Sequence, residues 1–345
     1  MKEFSSVCPN CGSDLYFNPK TGSLTCKYCE SNFYLPSSSK KAIIVRQYSP
    51  GFHPSVLNKS LNSYKCKACS RVYFMTTEGR SSKCPNCGSS DIELTEEPGF
   101  CADGVIPFQI TKEEASLAMQ RYLDKNIKIP RELRQMAKNQ KLMSVLIPVW
   151  NFSFNLYANY TANETLLHKD SYGMYYSVNN PIFGDKDKRV ASIDECATDG
   201  EERIFLELFD ERDYAQIVPY CPEYAFGARV DPITKDIHRF YDDVIERAEK
   251  AFKKEITREL LARKNSTHEI NVSCRADDIF FNFTYVPVYV NVFNYKKKIH
   301  KIYISGTTGK VVGKPPTSTW YKFKKFFQIL GVGALLALVY TLFKK

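Results

Sequence analysis

A cysteine array written twice constrains this chain more than any other feature. Cys8, Cys11, Cys26 and Cys29 read C-x2-C-x14-C-x2-C, and Cys66, Cys69, Cys84 and Cys87 repeat the pattern with the same gap. A two-residue spacer lets both sulfurs of a knuckle reach one ion, and two knuckles complete a closed tetrahedral site. The eight cysteines are therefore assigned as ligands of two structural Zn2+ ions. Four thiolates fill each coordination sphere, which leaves no open position for catalysis. Disulfides fit less well, because the spacings suit metal and no signal peptide precedes them.

Both units carry the string Cys-Pro-Asn-Cys-Gly, at residues 8–12 and 84–88. Proline fixes one turn angle and glycine tolerates positive φ, so backbone amides can turn toward the sulfurs. In the first unit, residues 15–17 and 23–25 flank a turn at Asn18-Pro19-Lys20-Thr21-Gly22, which predicts two short strands. In the second, Val72 to Met75 form a strand that leads into Glu78-Gly79. Units this small bury too little apolar surface to fold unaided, so the metal supplies most of the free energy, on the order of 10–16 kcal/mol per site.

Charge decides what such ribbons can bind. The first carries Lys2, Lys20 and Lys27 against Glu3, Asp14 and Glu30. The second sets Lys65, Lys67, Arg71, Arg80 and Lys83 against Glu78, Asp91, Glu93, Glu96 and Glu97. Both are neutral before metal and thiolates are counted and negative afterwards, whereas a phosphate-binding surface needs a basic excess. The chain's net charge of +10 lies elsewhere: in the linker (Lys40, Lys41, Arg46, Lys59) and in five lysines after residue 318. Nucleic acid is thereby disfavoured as a partner, and anionic lipid favoured.

The expected order is zinc ribbon 1 (1–36), a linker (37–62), zinc ribbon 2 (63–97), an α+β core domain (98–318) and a C-terminal membrane anchor (320–345). Within the core, Thr111 and Glu114 form a capping box that opens a helix, and Pro130 starts another. Residues 145–160 and 165–178 read as long strands. The acidic stretch 185–213 reads as a turn-rich, solvated face. Phe240, Val244, Ala248, Phe252, Ile256 and Leu260 recur every four residues, which predicts one long packed helix. Residues 270–274 and 279–294 read as strands, and residues 299–305 and 310–312 as a hairpin about Gly306-Thr307-Thr308-Gly309. Ile147-Pro148-Val149-Trp150 is echoed by Val286-Pro287-Val288-Tyr289, and proline within a strand run implies an edge or a bulge. Residues 326–343 contain no charge and are flanked by Trp320, Tyr321 and lysines. As a helix they would span about 27 Å, close to a hydrocarbon core of about 30 Å. The fold class expected is thus α+β: two small β zinc ribbons, a mainly antiparallel-sheet domain with one long packed helix, and a C-terminal transmembrane helix. The expected localisation is the cell membrane, single-pass and tail-anchored, with the soluble part cytoplasmic.

These strings, together with residues 105–115, 146–150 and 306–313, resemble bacterial membrane proteins with transcription-factor-IIB-type zinc ribbons, found in Firmicutes. Such proteins are often labelled primosomal replication helicases. A helicase motor needs a G-x4-GK-[ST] loop, and Gly306-Thr-Thr-Gly-Lys310 and Gly309-Lys-Val-Val-Gly-Lys314 have the wrong spacing for it. The resemblance implies association with membrane-stress proteins of the phage-shock and flotillin-like (SPFH) types. His53, His168, His238, His268 and His300 are scattered without a catalytic motif, so no enzyme is expected. The leading expectation is a membrane-anchored adaptor or scaffold whose partners are the lipid bilayer and other proteins. The alternative is a membrane-associated nucleic-acid-binding protein.

Overall fold

The structure, a computed structural model, describes residues 6–35, 45–52, 61–76, 84, 86–87, 89–96, 102–199, 203–263 and 265–318. The first cysteine unit forms a three-stranded antiparallel sheet of β1 (Leu15–Asn18), β2 (Ser23–Cys26) and β3 (Asn32–Phe33). Its turn closes as the sequence predicts: Gly22 N–H donates to Asn18 O at 2.9 Å, with Gly22 at φ +61°.

The remaining strands join one 12-stranded sheet. They are β4 (Arg46–Gln47), β5 (Leu61–Cys66), β6 (Val72–Thr76), β7 (Ile92–Thr95), β8 (Gly104–Val105), β9 (Met143–Lys169) and β10 (Tyr175–Cys196), then β11 (Val218–Pro219), β12 (Arg229–Val230), β13 (Ser266–Tyr295), β14 (Lys298–Ser305) and β15 (Val311–Gly313). The described helices are α1 (Lys112–Lys125), α2 (Arg131–Asn139), α3 (Glu211–Tyr214) and α4 (His238–Leu261). The main path runs β11-β8-β13-β9-β12-β6-β5-β7, with β10 against β9 and β14 against β13. Most pairs are antiparallel, but β12 runs parallel to β9 and β8 parallel to β13.

This architecture corrects the expected fold class. The described residues are mostly one large mixed sheet with few helices, and the strands of the second cysteine unit belong to that sheet. The expected transmembrane helix and single-pass membrane localisation are corrected as well. Among the described residues no helix is long and apolar enough to cross a membrane. The longest, α4, has 24 residues but carries charged side chains in every turn. Residues 326–343, on which the expectation rested, lie outside the described residues.

The centre of the sheet is the β9–β13 pair, where the two echoed strings lie side by side, with Ile147 opposite Val286 and Leu146 opposite Pro287. Neither proline is at an edge or a bulge, contrary to the expectation. Each sits where the strand on its outer side changes, from β10 to β12 beside Pro148 and from β8 to β14 beside Pro287. The carbonyls of Pro148 and Pro287 accept outward from Ala197 N–H at 3.0 Å and Gly306 N–H at 2.9 Å. A strand residue's N–H and C=O point to the same side, so the missing donors are ones the β9–β13 ladder never needed.

Alternation along these strands builds a core on both faces. Leu146, Trp150 and Phe152 meet Phe281, Phe283 and α4 on one face; Ile147 and Val149 meet Val286, Val288, Phe205 and Tyr303 on the other. Helix α4 buries Val244, Ala248, Phe252, Ile256 and Leu260, the stripe its periodicity predicts. The expected capping box of α1 is also present, with Glu114 N–H donating to Thr111 Oγ1 at 3.3 Å and Thr111 N–H to Glu114 Oε2 at 2.7 Å.

The long strands depart from their expected bounds. β9 continues to Lys169 and takes in the start of the strand expected at 165–178, which a turn at 170–174 interrupts. β10 begins at Tyr175 and passes through Asp185 to Cys196, and β13 runs unbroken from Ser266 to Tyr295. The alternating Asp185-Lys186-Asp187-Lys188 reads as loop in isolation, yet Lys188 pairs with Glu255 at 2.6 Å and Lys186 pairs with Glu259, both on α4. β13 absorbs its irregular residues as bulges at Glu269 and Asp278, both at positive φ. The result is a β-arm, three strands wide from Asn155–Asp277 to Thr165–Ser266 and two strands wide beyond, closed by a turn at residues 170–174. From Leu156 to Lys169 it extends roughly 45 Å at strand rise.

Candidate metal centres

Each cysteine quartet converges: within each set the four sulfurs lie within 4.8 Å of one another. In the first set Cys8 Sγ is 3.6 Å from Cys29 Sγ, and Cys11 Sγ is 3.4 Å from Cys26 Sγ. In the second, Cys66–Cys87 and Cys69–Cys84 are both 3.6 Å apart. Disulfide sulfurs would stand about 2.0 Å apart. A tetrahedron with metal–sulfur bonds of about 2.3 Å has edges of about 3.8 Å, close to what is observed. Among the described residues these are the two groups of Cys, His, Asp and Glu ligand atoms that converge in this way, and each could hold a metal ion.

Backbone amides point at the sulfurs. Tyr28 and Cys29 N–H face Cys26 Sγ at 3.4 and 3.5 Å, and Asn86 N–H faces Cys84 Sγ at 3.4 Å. Such donors stabilise thiolate, the form that binds metal. The metal-free thiols differ widely. The Ser31 hydroxyl, 3.2 Å from Cys29 Sγ, holds that thiol down at about 6. Burial pushes Cys84 up to about 12. Burial is the largest influence on Cys69 and acts to raise it, but hydrogen bonds from the Asn86 side chain, the Arg71 backbone and the neighbouring cysteines together outweigh it and bring the thiol down to about 7.

Both centres attach to one short segment of the core, residues 224–231. On the first, Phe17 N–H donates to Phe226 O at 3.0 Å, and the Phe17 ring packs on Tyr224 with centroids 5.2 Å apart. Gly227, at φ +78°, lies under Tyr16 so closely that an added Cβ would stand 2.7 Å from the Tyr16 Cβ. Gly227→Ala is therefore expected to cost about 1–2 kcal/mol from backbone conformation alone, before the clash. It should selectively raise hydrogen exchange at the Phe17 amide. Unchanged protection there would show that this contact does not seat the first centre.

On the second, Phe74 of β6 pairs with Val230 of β12. Arg71 Nη2 donates to Asp231 Oδ2 at 2.8 Å, and Arg229 Nε to Asp231 Oδ1 at 2.6 Å. The Arg229 guanidinium lies 5.7 Å above the Tyr73 ring. Asp231 is fully buried; burial would raise its carboxyl, but Arg229 and then Arg71 more than reverse this and hold it below the usual range. Asn86 ties this network to the metal: its Nδ2 faces Cys69 Sγ at 3.5 Å, while its Oδ1 accepts from Arg71 Nη1 at 3.3 Å and Lys301 Nζ at 3.0 Å. The cysteine spacing gave no sign of Asn86, Arg229, Asp231 or Lys301. In retrospect the signal was Asn86 inside a knuckle and the Arg-Val-Asp string at 229–231.

The other sequence candidates do not converge. His238 bonds Tyr48 Oη and Phe52 O, both at 2.8 Å, His300 stacks on Phe293, and His168 stacks on Tyr176. His268 lies 3.5 Å from Thr165 Oγ1; His53 lies outside the described residues. The acidic stretch is not wholly solvated. Glu195 is buried between Arg203, at 2.8 Å, and Arg247, and Asp194 is held by Asn151 at 2.6 Å and Ser192 at 2.9 Å. Burial raises the Asp194 carboxyl. Cys196 is buried and donates to Thr198 O, while Cys221 and Cys274 are half-buried; Cys101 lies outside the described residues.

The chain matches no family model and no solved structure. It is similar to an uncharacterized protein, YdjG, of Bacillus subtilis (strain 168), at 27% identity over 342 residues that cover 97% of this chain and 96% of that protein.

Proposed function

We propose that this chain is a non-enzymatic adaptor in which two zinc centres brace the sheet and the β-arm carries the surface that engages a protein partner. Zinc is the ion that four-cysteine sets of this spacing and sulfur separation suit. The observation behind the adaptor reading is the arm tip. Tyr172 is 91% exposed, and Leu167, Met174, Tyr175 and Tyr176 are exposed beside it; Phe183, 73% exposed, carries the apolar surface back onto the three-stranded part of the arm, opposite Thr161. A two-stranded hairpin has no interior in which to bury such side chains, and clustered exposed aromatics mark interaction surfaces. The neutral ribbons, seated against the core, offer no basic track for nucleic acid.

Two measurements test this reading. Metal analysis of the purified chain is expected to return two equivalents of zinc, and a chain without stoichiometric zinc would refute the metal assignment. The combined variant Tyr172→Ser, Tyr175→Ser, Phe183→Ser is expected to melt as the parent does, since exposed substitutions change stability by about 0.5 kcal/mol or less. In-cell crosslinking of it should lose at least ten-fold of the protein adducts formed by the parent, whereas Leu117→Ser, an exposed substitution on α1, should lose none. Equal adduct yields from all three chains would sink the arm as the docking surface.

A further inference from the structure

The two centres share a cysteine pattern but not their surroundings. Aligning the arrays places Ser13 where the second has Arg71, and Tyr28 where the second has Asn86. Tyr28 is 82% exposed and faces a ligand through its backbone N–H, 3.4 Å from Cys26 Sγ, whereas the Asn86 side chain bridges Cys69 Sγ to Arg71 and Lys301. Two ligands of the first centre, Cys11 and Cys29, are exposed; the corresponding Cys69 and Cys87 are half-buried. The cation nearest the first centre in sequence, Lys27, is half-exposed and pairs with Asp14 at 2.9 Å. The second centre is flanked instead by Arg71 and Lys301, both buried side chains.

We infer that the two sites hold metal unequally: the second is a locked structural site, the first an exchangeable one, and Asn86 is the positioning residue that makes the difference. This rests on the zinc reading above. Ligand exchange begins when a competing donor reaches the metal as one thiolate swings away. At the first site Cys29 Sγ is held by the Ser31 hydroxyl at 3.2 Å, itself bonded by Asn10 at 3.0 Å, but these partners lie at the surface, and exposed Cys11 and Cys29 leave the approach open. At the second site the Asn86 amide holds Cys69 Sγ in place, and its own carbonyl is fixed by two cations, so the sulfur has nowhere to swing. Partners of this kind, behind the ligands, change metal affinity by about 10–100-fold when removed. The exposed first site is accordingly the one through which free metal, a chelator or an oxidant would act on the protein.

The test uses the full chain loaded with zinc and mixed with excess chromophoric chelator. Total release should be two equivalents; zero or one would refute the zinc reading rather than this inference. With two released, the expected result is two phases of one equivalent each, at least ten-fold apart in rate. Cys29→Ser should abolish the fast phase alone. Asn86→Ala should accelerate the slow phase by about 10–100-fold and leave the fast one unchanged. Should Asn86→Ala lose its far-UV circular dichroism, Asn86→Asp keeps the acceptor for Arg71 and Lys301 while removing the donor to Cys69, and carries the same expectation. Release of both equivalents in one phase, a fast phase that survives Cys29→Ser, or a slow phase indifferent to both Asn86 substitutions would overturn the assignment.

Discussion

Cys84→Ser is expected to open the second ribbon and, with it, one side of the large sheet. A structural zinc site contributes on the order of 10–16 kcal/mol, which matches or exceeds the total stability of an ordinary domain, about 5–15 kcal/mol. Strands β5, β6 and β7 have little apolar core of their own: Tyr73 and Phe74 are the large apolar side chains buried among their described residues. Without the ion, nothing of comparable size holds the knuckles together. The loss should not stay local, because Phe74 pairs with Val230, and Arg71 reaches Asp231. Hydrogen exchange should therefore show lost protection over 61–66 and 72–76, spreading to 229–231, while the β9–β13 centre stays protected. Cys29→Ser should instead unprotect 15–18 and 23–26 and leave 229–231 alone. Intact protection of β5 and β6 in a zinc-free Cys84→Ser chain would show that the ribbon folds by packing alone.

Asp231→Ala is the second large effect, expected to cost about 3–5 kcal/mol, the usual penalty for stranding buried partner charges. Asp231 is wholly buried and is flanked by Arg229 and Arg71, whose side chains are also buried. Removing the carboxylate leaves two guanidinium groups in the interior without it, one of them on the ribbon and one on the core. Denaturant titration should show a lowered midpoint, and chelation should then release the second metal more readily. The pH dependence follows from the direction of the carboxyl's displacement. Asp231 is held below its ordinary value, so the stability it contributes is present above the unfolded value of about 3.9 and is lost as pH falls through the folded one. The parent should thus lose more stability on acidification than Asp231→Asn does over the same interval. Equal acid sensitivity in the two chains would mean that the carboxylate is not charged in the fold.

The local chemistry of this protein was legible before any coordinates. Cysteine spacing is set within a few residues, and so is the question of which sulfurs can share an ion; all eight converge as that spacing requires. The Asn18–Gly22 turn, the Thr111–Glu114 capping box, the four-residue stripe of α4 and the β14–β15 hairpin are likewise decided by near neighbours. Misreadings arose where a distant element changed the meaning of a residue. Asp185-Lys186-Asp187-Lys188 became strand because α4 offers Glu255 and Glu259 to the lysines, and two prolines sit mid-sheet because the strands beside them change.

What the amino-acid order determined alone, then, was two four-sulfur sites, their turns and the amphipathic helix that covers the sheet, because each depends on covalent reach or on the period of one element. What only the tertiary fold decided was the seating of both sites on residues 224–231, the arm that carries Tyr172 and Phe183 into solvent, and the bond from Asn86 to Cys69 that sets one centre apart from the other. Those features join residues up to 215 positions apart, as Lys301 joins Asn86. Proximity at that separation is fixed by strand register and burial, which no local pattern encodes.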